Sequence, residues 1–220
     1  MRIVGFVPSK LNSERLPLKN IKLLGGSPLV NYCIKALNSV SSINETIIFA
    51  SEPSICSHIE DGLKYKYVER PVRLDTQEAT VQDFVNEFLK RDNADIIVLL
   101  HITAPFIKPE TVAECVEKVS SGKYSSAFAA IEIKKFAWYN DKPLNYSLDK
   151  PIPRTQDILP IVVEQSGLYV FTRDLFLKKN QRVDSNSYIK IVDDFEGHDI
   201  DTLDDFSIAE LMISSKLRSK

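Results

Sequence analysis

The chain has 220 residues, a length suited to one domain and too short for two catalytic ones. Its 26% charged and 44% hydrophobic residues are those of an ordinary globular protein, and a net charge of -2 gives no overall attraction for phosphate backbones, so nucleic acid is not an expected partner. Cys33, Cys56 and Cys115 are odd in number and widely spaced, which argues against a disulfide framework or a C-x-x-C metal knuckle and leaves them as small buried hydrophobes.

From the start, Met1-Arg2 runs into a five-residue apolar stretch, too short for a secretory signal, and nothing downstream approaches transmembrane length. No membrane partner and a cytoplasmic location are therefore expected. Short β-branched runs predict strands at Ile3–Val7, Thr46–Ala50, Tyr67–Glu69, Asp95–Leu100, Ser126–Ile133 and Val162–Phe171. Between them, Pro28–Val40 carries Leu29, Cys33, Leu37 and Val40 at helical spacing, and Thr80–Lys90 and Pro109–Val119 have similar one-faced patterns after a helix-starting Thr or Pro. Leu203–Leu217 resumes that period at the end. This alternation predicts one α/β domain over 1–220, Rossmann-like, a mainly parallel sheet with helices on both faces. The exception is 134–160, where Pro143, Pro151, Pro153 and Pro160 interrupt any period; so long an excursion is expected to serve function or an interface.

In parallel sheets ligands sit beyond the carboxyl ends of strands, which directs attention to the segment after the first one. Pro8 to Asn20 has neither G-x-G-x-x-G nor G-x-x-x-x-G-K-[ST], so a dinucleotide cradle and a P-loop are both unsupported. It concentrates Lys10, Arg15 and Lys19 among Asn12, Ser13 and Asn20, a mixture able to grip a triphosphate and equally able to be a solvated basic loop. Near the other end, Asp199-Ile-Asp201 sets two carboxylates on the same side of an extended segment, as a Mg²⁺ site requires, although acids at that spacing are common by chance.

Val7 to Ile21 reads V-P-S-K-L-N-S-E-R-L-P-L-K-N-I, Gly26 to Leu29 reads G-S-P-L, and Arg70 to Thr80 reads R-P-V-R-L-D-T-Q-E-A-T. Leu99 to Ile107, L-L-H-I-T-A-P-F-I, is followed by Arg154-Thr-Gln-Asp157, Gln165-Ser-Gly-Leu-Tyr169 and Glu196-Gly-His-Asp-Ile-Asp-Thr202. In this order the segments resemble the acylneuraminate cytidylyltransferases, with P-A-R-x-G-S-K-R-x-P-x-K-N-I, R-P-x-x-L-x-x-D-x-A-[ST], L-L-Q-P-T-S-P-L-R, R-x-Q-D, N-G-x-Y and E-x-x-D-I-D-T as that family's counterparts. The resemblance implies CMP transfer from CTP to an acidic sugar of nonulosonic or Kdo type, with Mg²⁺ as cofactor, pyrophosphate as product and 134–160 as the dimerisation arm of a homodimer.

It further implies that Lys19 and Arg15 act on the triphosphate. Pro8, Lys10, Asn12, Ser13, Asn20, Arg70 and Thr80 would bind CTP. His101, Thr103, Ala104, Arg154, Gln156, Gly167 and Tyr169 would meet the acceptor, with Arg154 and Gln156 on its carboxylate, and Asp199 and Asp201 would hold the metal. Several positions depart from the pattern: Lys10 stands for arginine, Glu14 for lysine, His101 and Ile102 for Gln-Pro, Ala104 for serine, Ile107 for arginine and Gln165-Ser166 where Asn is usual. The changed positions fall mainly on the sugar side, which predicts an acceptor less polar than N-acetylneuraminic acid. Two further readings stay open, a nucleotide-sugar glycosyltransferase and a catalytically lapsed homologue that only binds nucleotide.

Overall fold

In the computed structural model, which describes residues 1–10 and 16–218, the chain organises around a seven-stranded sheet. In chain order the elements are β1 (Ile3–Ser9), β2 (Leu23–Leu24), β3 (Ser27–Pro28), α1 (Leu29–Asn38), β4 (Glu45–Ala50), β5 (Lys66–Glu69), α2 (Val81–Leu89), β6 (Ile96–Leu100) and α3 (Pro109–Ser120). There follow β7 (Ser126–Ile133), β8 (Trp138–Tyr139), β9 (Lys142–Pro143), β10 (Ile161–Thr172), α4 (Arg173–Lys179), β11 (Ser187–Ile191) and α5 (Leu203–Arg218). The sheet runs β11-β7-β10-β6-β1-β4-β5. Its pairs are parallel except that β10 lies antiparallel between β6 and β7.

β1 and β6 are buried along their whole length, so they read as unbroken apolar runs, as central strands covered on both faces must. Alternate residues feed two cores. Ile3, Val7, Val98 and Leu100 join α1, α3 and the start of α5 on one face. Val4, Phe6, Ile97 and Leu99 join α2 and α4 on the other, where Phe6 stacks on Phe88 at 4.6 Å and meets Phe49 at 5.4 Å. The predicted mainly parallel sheet with helices on both faces is what forms.

Local signals explain the boundaries. Thr80 caps α2 in a capping box, its side chain accepting from Asp83 N while Asp83 accepts from Thr80 N. Thr202 and Asp205 repeat that arrangement at the start of α5. In 134–160 the structure supplies the β8–β9 hairpin, whose turn residues Asn140 and Asp141 have φ of 47° and 60°, as a two-residue type I′ turn demands, and a single 3-10 turn at Thr155–Asp157. Asn145 braces it, accepting from Ala137 N at 3.1 Å and donating to Lys135 O at 2.9 Å. Trp138, Tyr139, Leu148, Ile152 and Leu159 remain exposed. Cys33 and Cys115 are buried and all three cysteines are free. Among the described residues no helix is long and apolar enough to cross a membrane.

Candidate active site

The carboxyl ends of β1 and β6 open into a cavity of about 360 Å³, into which Pro8, Lys10, Lys19, Asn20, His101 and Thr103 project. The turn after β1 is steered by Leu18, which sits in the left-handed region at φ 56° and starts a short helical turn at Lys19–Ile21. That turn buries Lys19 and Asn20. Asn20 donates to Ser9 Oγ at 2.9 Å and Lys10 O at 2.8 Å, pinning the turn back onto the end of β1. Lys19 reaches across the sequence to the D-x-D segment, donating from Nζ to Ile200 O at 2.9 Å and Asp201 Oδ1 at 3.3 Å. A buried cation that lines the cavity thus meets a carboxylate 182 positions away in sequence.

The D-x-D segment is itself fixed from two sides. Ile200 donates its N–H to Thr103 O at 2.8 Å, and Asp201 N donates to Asp205 Oδ2 at 3.1 Å. Asp199 Oδ1 is buried with no hydrogen-bond partner among the described residues. Burial pushes the Asp199 carboxyl upward in pKa, the Asp201 charge adding to the effect, against a lowering hydrogen bond from Thr103 and the Lys19 charge. A desolvated carboxylate oxygen without a donor, beside a second acid, fits a hard divalent cation. Among the described residues no group of three or more His, Cys, Asp or Glu gathers for a metal. Such an ion would therefore be held by one or two carboxylates, with phosphate oxygens and waters completing its shell, as is usual for Mg²⁺.

On the opposite wall Arg70 is almost wholly enclosed, with the guanidinium 4.8 Å above the Phe84 ring and a charge-assisted hydrogen bond to Asp75. Among the described residues its Nε has no hydrogen-bond partner. Arg70 and Phe84 both line the cavity, as do Thr76 and Gln77. At the floor, desolvation drives the His101 imidazole down to about 4, helped by the charges of Arg182 and Lys19, so the ring is neutral near pH 7.

The profile of the family described as Cytidylyltransferase matches residues 4–205. The chain belongs to the cytidylyltransferase family. It is 27% identical to N-acylneuraminate cytidylyltransferase of Streptococcus agalactiae over 100% of its own length and 56% of the relative's, so it spans little more than half of that protein. It is 29% identical to CMP-N,N'-diacetyllegionaminic acid synthase of Legionella pneumophila, across 84% of this chain and 82% of the other. Among solved structures, the CTP complex of CMP:2-keto-3-deoxy-manno-octonic acid synthetase superposes with a TM-score of 0.72 at 17% identity, covering 98% of this chain and 100% of that one, which speaks to the fold alone.

The cleft brings together part of the expected set. Pro8, Lys10, Lys19, Asn20, Arg70, His101 and Thr103 line one cavity, and Asp201 is tied to it through Lys19. Asn12, Ser13, Glu14 and Arg15 lie outside the described residues. Thr80 is engaged as the cap of α2. Ala104 and Tyr169 are buried, and a Cβ placed on Gly167 would meet the Ala104 Cβ at 2.2 Å, so packing already accounts for that glycine. Arg154 and Gln156 are exposed on the excursion, where Arg154 Nε pairs with Asp157 at 2.7 Å. Sequence reasoning missed Ser9, Thr76, Gln77, Phe84 and Arg182. Phe84 alone left a signal, as an aromatic one turn into a helix beginning directly after the Arg70–Thr80 motif.

Proposed function

We propose that the chain transfers CMP from CTP to a 2-keto sugar acid and releases pyrophosphate, the anomeric hydroxyl of the acid attacking the α-phosphorus in line with the leaving group. The observation that carries this reading is the Lys19–Asp201 contact, which ties a cation lining a cavity of about 360 Å³ to the D-x-D segment, whose Asp199 Oδ1 is buried without a hydrogen-bond partner among the described residues. Phosphoryl transfer needs little covalent help from protein groups and depends on positioning and on neutralising charge at the transferred and departing oxygens.

Lys19, held by Ile200 O, is preset beside the position of the triphosphate, and Arg15 is assigned the same charge from the loop. Lys10, Asn20 and Pro8 form the phosphate-side wall, with Asn12 and Ser13 assigned to it from the motif. Arg70 and Phe84, which both line the cavity, are assigned to the base and ribose. Asp199 and Asp201 would hold Mg²⁺, which when bound supplies positive charge between the nucleotide and the attacking oxygen. His101 and Thr103 face the acceptor. Neutral at physiological pH, His101 can donate or accept a hydrogen bond without repelling the cations around it.

The exposed aromatic and aliphatic side chains of 134–160 support the arm of a homodimer, because a solvated hairpin of this size has little stability of its own. A partner's arm would also return Arg154 and Gln156 to an acceptor site. We place the reaction in the cytoplasm, where free thiols stay reduced. The test is pyrophosphate release with all four nucleoside triphosphates and a panel of acids comprising N-acetylneuraminic, N,N'-diacetyllegionaminic, pseudaminic and Kdo acids. Release confined to CTP plus an acid is expected. Tight CTP binding without turnover on any acid would favour the lapsed homologue, and use of a nucleotide-sugar donor would favour the glycosyltransferase.

A further inference from the structure

Arg182 lies between α4 and β11, outside the motifs that identify the family. Its guanidinium carbon stands 3.8 Å from the centroid of the Tyr169 ring. Among the described residues it makes no hydrogen bond and no ion pair. An arginine held over an aromatic face by its guanidinium carbon keeps N–H groups for a further partner, and those groups match the two oxygens of a carboxylate. Tyr169 cannot slide away, since its ring stacks on Phe128 at 6.1 Å and its hydroxyl donates to Glu164 Oε2 at 2.5 Å. That hydrogen bond also occupies Glu164, the acid closest along β10, at the phenol end of the ring.

Arg182 is also linked to the cleft. His101 lines the cavity and donates its N–H to Gly167 O at 2.8 Å, while Tyr169 pairs with Leu99, so the ring that carries Arg182 lies two residues along β10 from the partner of His101 and on the same face of the sheet, and the Arg182 charge is felt at the imidazole. Arg154, the cation expected there from the motif, is exposed and paired with Asp157 within its own chain.

We propose that Arg182, stacked on Tyr169 beside His101, is the cation that receives the carboxylate of the acceptor and so restricts this side of the cleft to acids. The assignment rests on the cytidylyltransferase reading above and adds to it the residue that reads the acid. Its geometry gives bidentate recognition from within one chain. A lysine cannot reproduce this, having neither the planar fork nor the stacked face.

The experiment compares each acid of the panel that supports turnover with its methyl ester, under saturating CTP and Mg²⁺, for the wild type and for Arg182→Ala, Arg182→Lys and Arg154→Ala. Arg182→Ala should raise KM for the acid by about ten- to a hundredfold, the range of a lost hydrogen bond to a charged group, while KM for CTP stays unchanged. The wild-type preference for acid over ester should shrink in the same proportion, and Arg182→Lys should restore only part of it. A merely structural role would weaken acid and ester alike, and that result overturns the proposal, as does loss of the preference in Arg154→Ala with retention in Arg182→Ala. If the wild type releases no pyrophosphate with any acid, the cytidylyltransferase reading fails first and the assignment falls with it. A melting temperature equal to the wild type's separates a recognition defect from unfolding.

Discussion

The cleft and the excursion are opposite solutions within one chain. The cleft is assembled from residues far apart in sequence, with Lys19 meeting Ile200 and Asp201, and Thr103 meeting Ile200, and its polar groups are buried and mostly partnered. The excursion is held by short-range contacts, such as Asn145 with Ala137 and Tyr146 against Phe136 at 5.0 Å, and leaves Trp138, Tyr139 and Leu159 in solvent. The first is a cavity whose described lining one chain assembles by folding. The second is an apolar surface that folding leaves uncovered, so changes in the two should separate catalysis from assembly.

The largest effect belongs to the proposed metal pair. Asp201→Asn should abolish pyrophosphate release while circular dichroism and molecular mass remain those of the wild type, because one hard oxygen ligand is lost where charge develops. Near-normal turnover at saturating Mg²⁺ would remove Asp201 from that role. Lys19→Ala comes next, with kcat/KM expected to fall at least about a hundredfold, or roughly 2.7–4 kcal/mol, as for other groups that stabilise charge in a transition state. It should cost some thermal stability too, since Ile200 O and Asp201 lose a buried donor. If stability falls and turnover does not, the lysine only props the D-x-D segment.

The excursion should respond in the other currency of measurement. Trp138→Ser or Leu159→Asp is expected to weaken self-association by at least about tenfold in sedimentation, the cost of one well-buried contact at an interface. CTP binding should persist in both. A chain that sediments as a monomer before any change would show that the exposed patch serves something else.

The smallest effect is a pH dependence. The folded pKa of His101, about 4, lies below its ordinary value of 6.5, so its contribution to stability is complete above 6.5 and is lost as pH falls towards 4. His101→Gln should flatten the decline in melting temperature across that window, with Arg182 and Lys19 as the charges that disfavour protonation. An unchanged decline would place the acid sensitivity elsewhere.

What the sequence revealed follows from how local each signal is. β1, β6 and β7 were legible because continuous apolar runs need no knowledge of neighbours, and α2 because Thr80 and Asp83 mark its start. The edge strand β11 was not, since Ser187–Ile191 alternates half-exposed residues and reads as a loop until β7 is beside it. α4 is only seven residues long, though Thr172 at its cap and Asn180 in the left-handed region at its end could have announced it. In the site, the order of motifs pointed to Lys19, Arg70 and Asp201 and left a positional hint of Phe84, yet Arg182 on Tyr169 depends on tertiary packing that no spacing encodes.

The close approach of Gly167 to Ala104 has a consequence for redesign. His101 N also donates to Gly167 O at 2.8 Å, and the left-handed Ser166 marks a register shift in β10 between Glu164 and Tyr169, so the turn after β6 and this bulge are keyed together. Residues 101–107 and 164–169 therefore form one cassette. Grafting a relative's acceptor preference onto this scaffold one side chain at a time would jam the key, whereas exchanging both segments together would carry the matching shapes across.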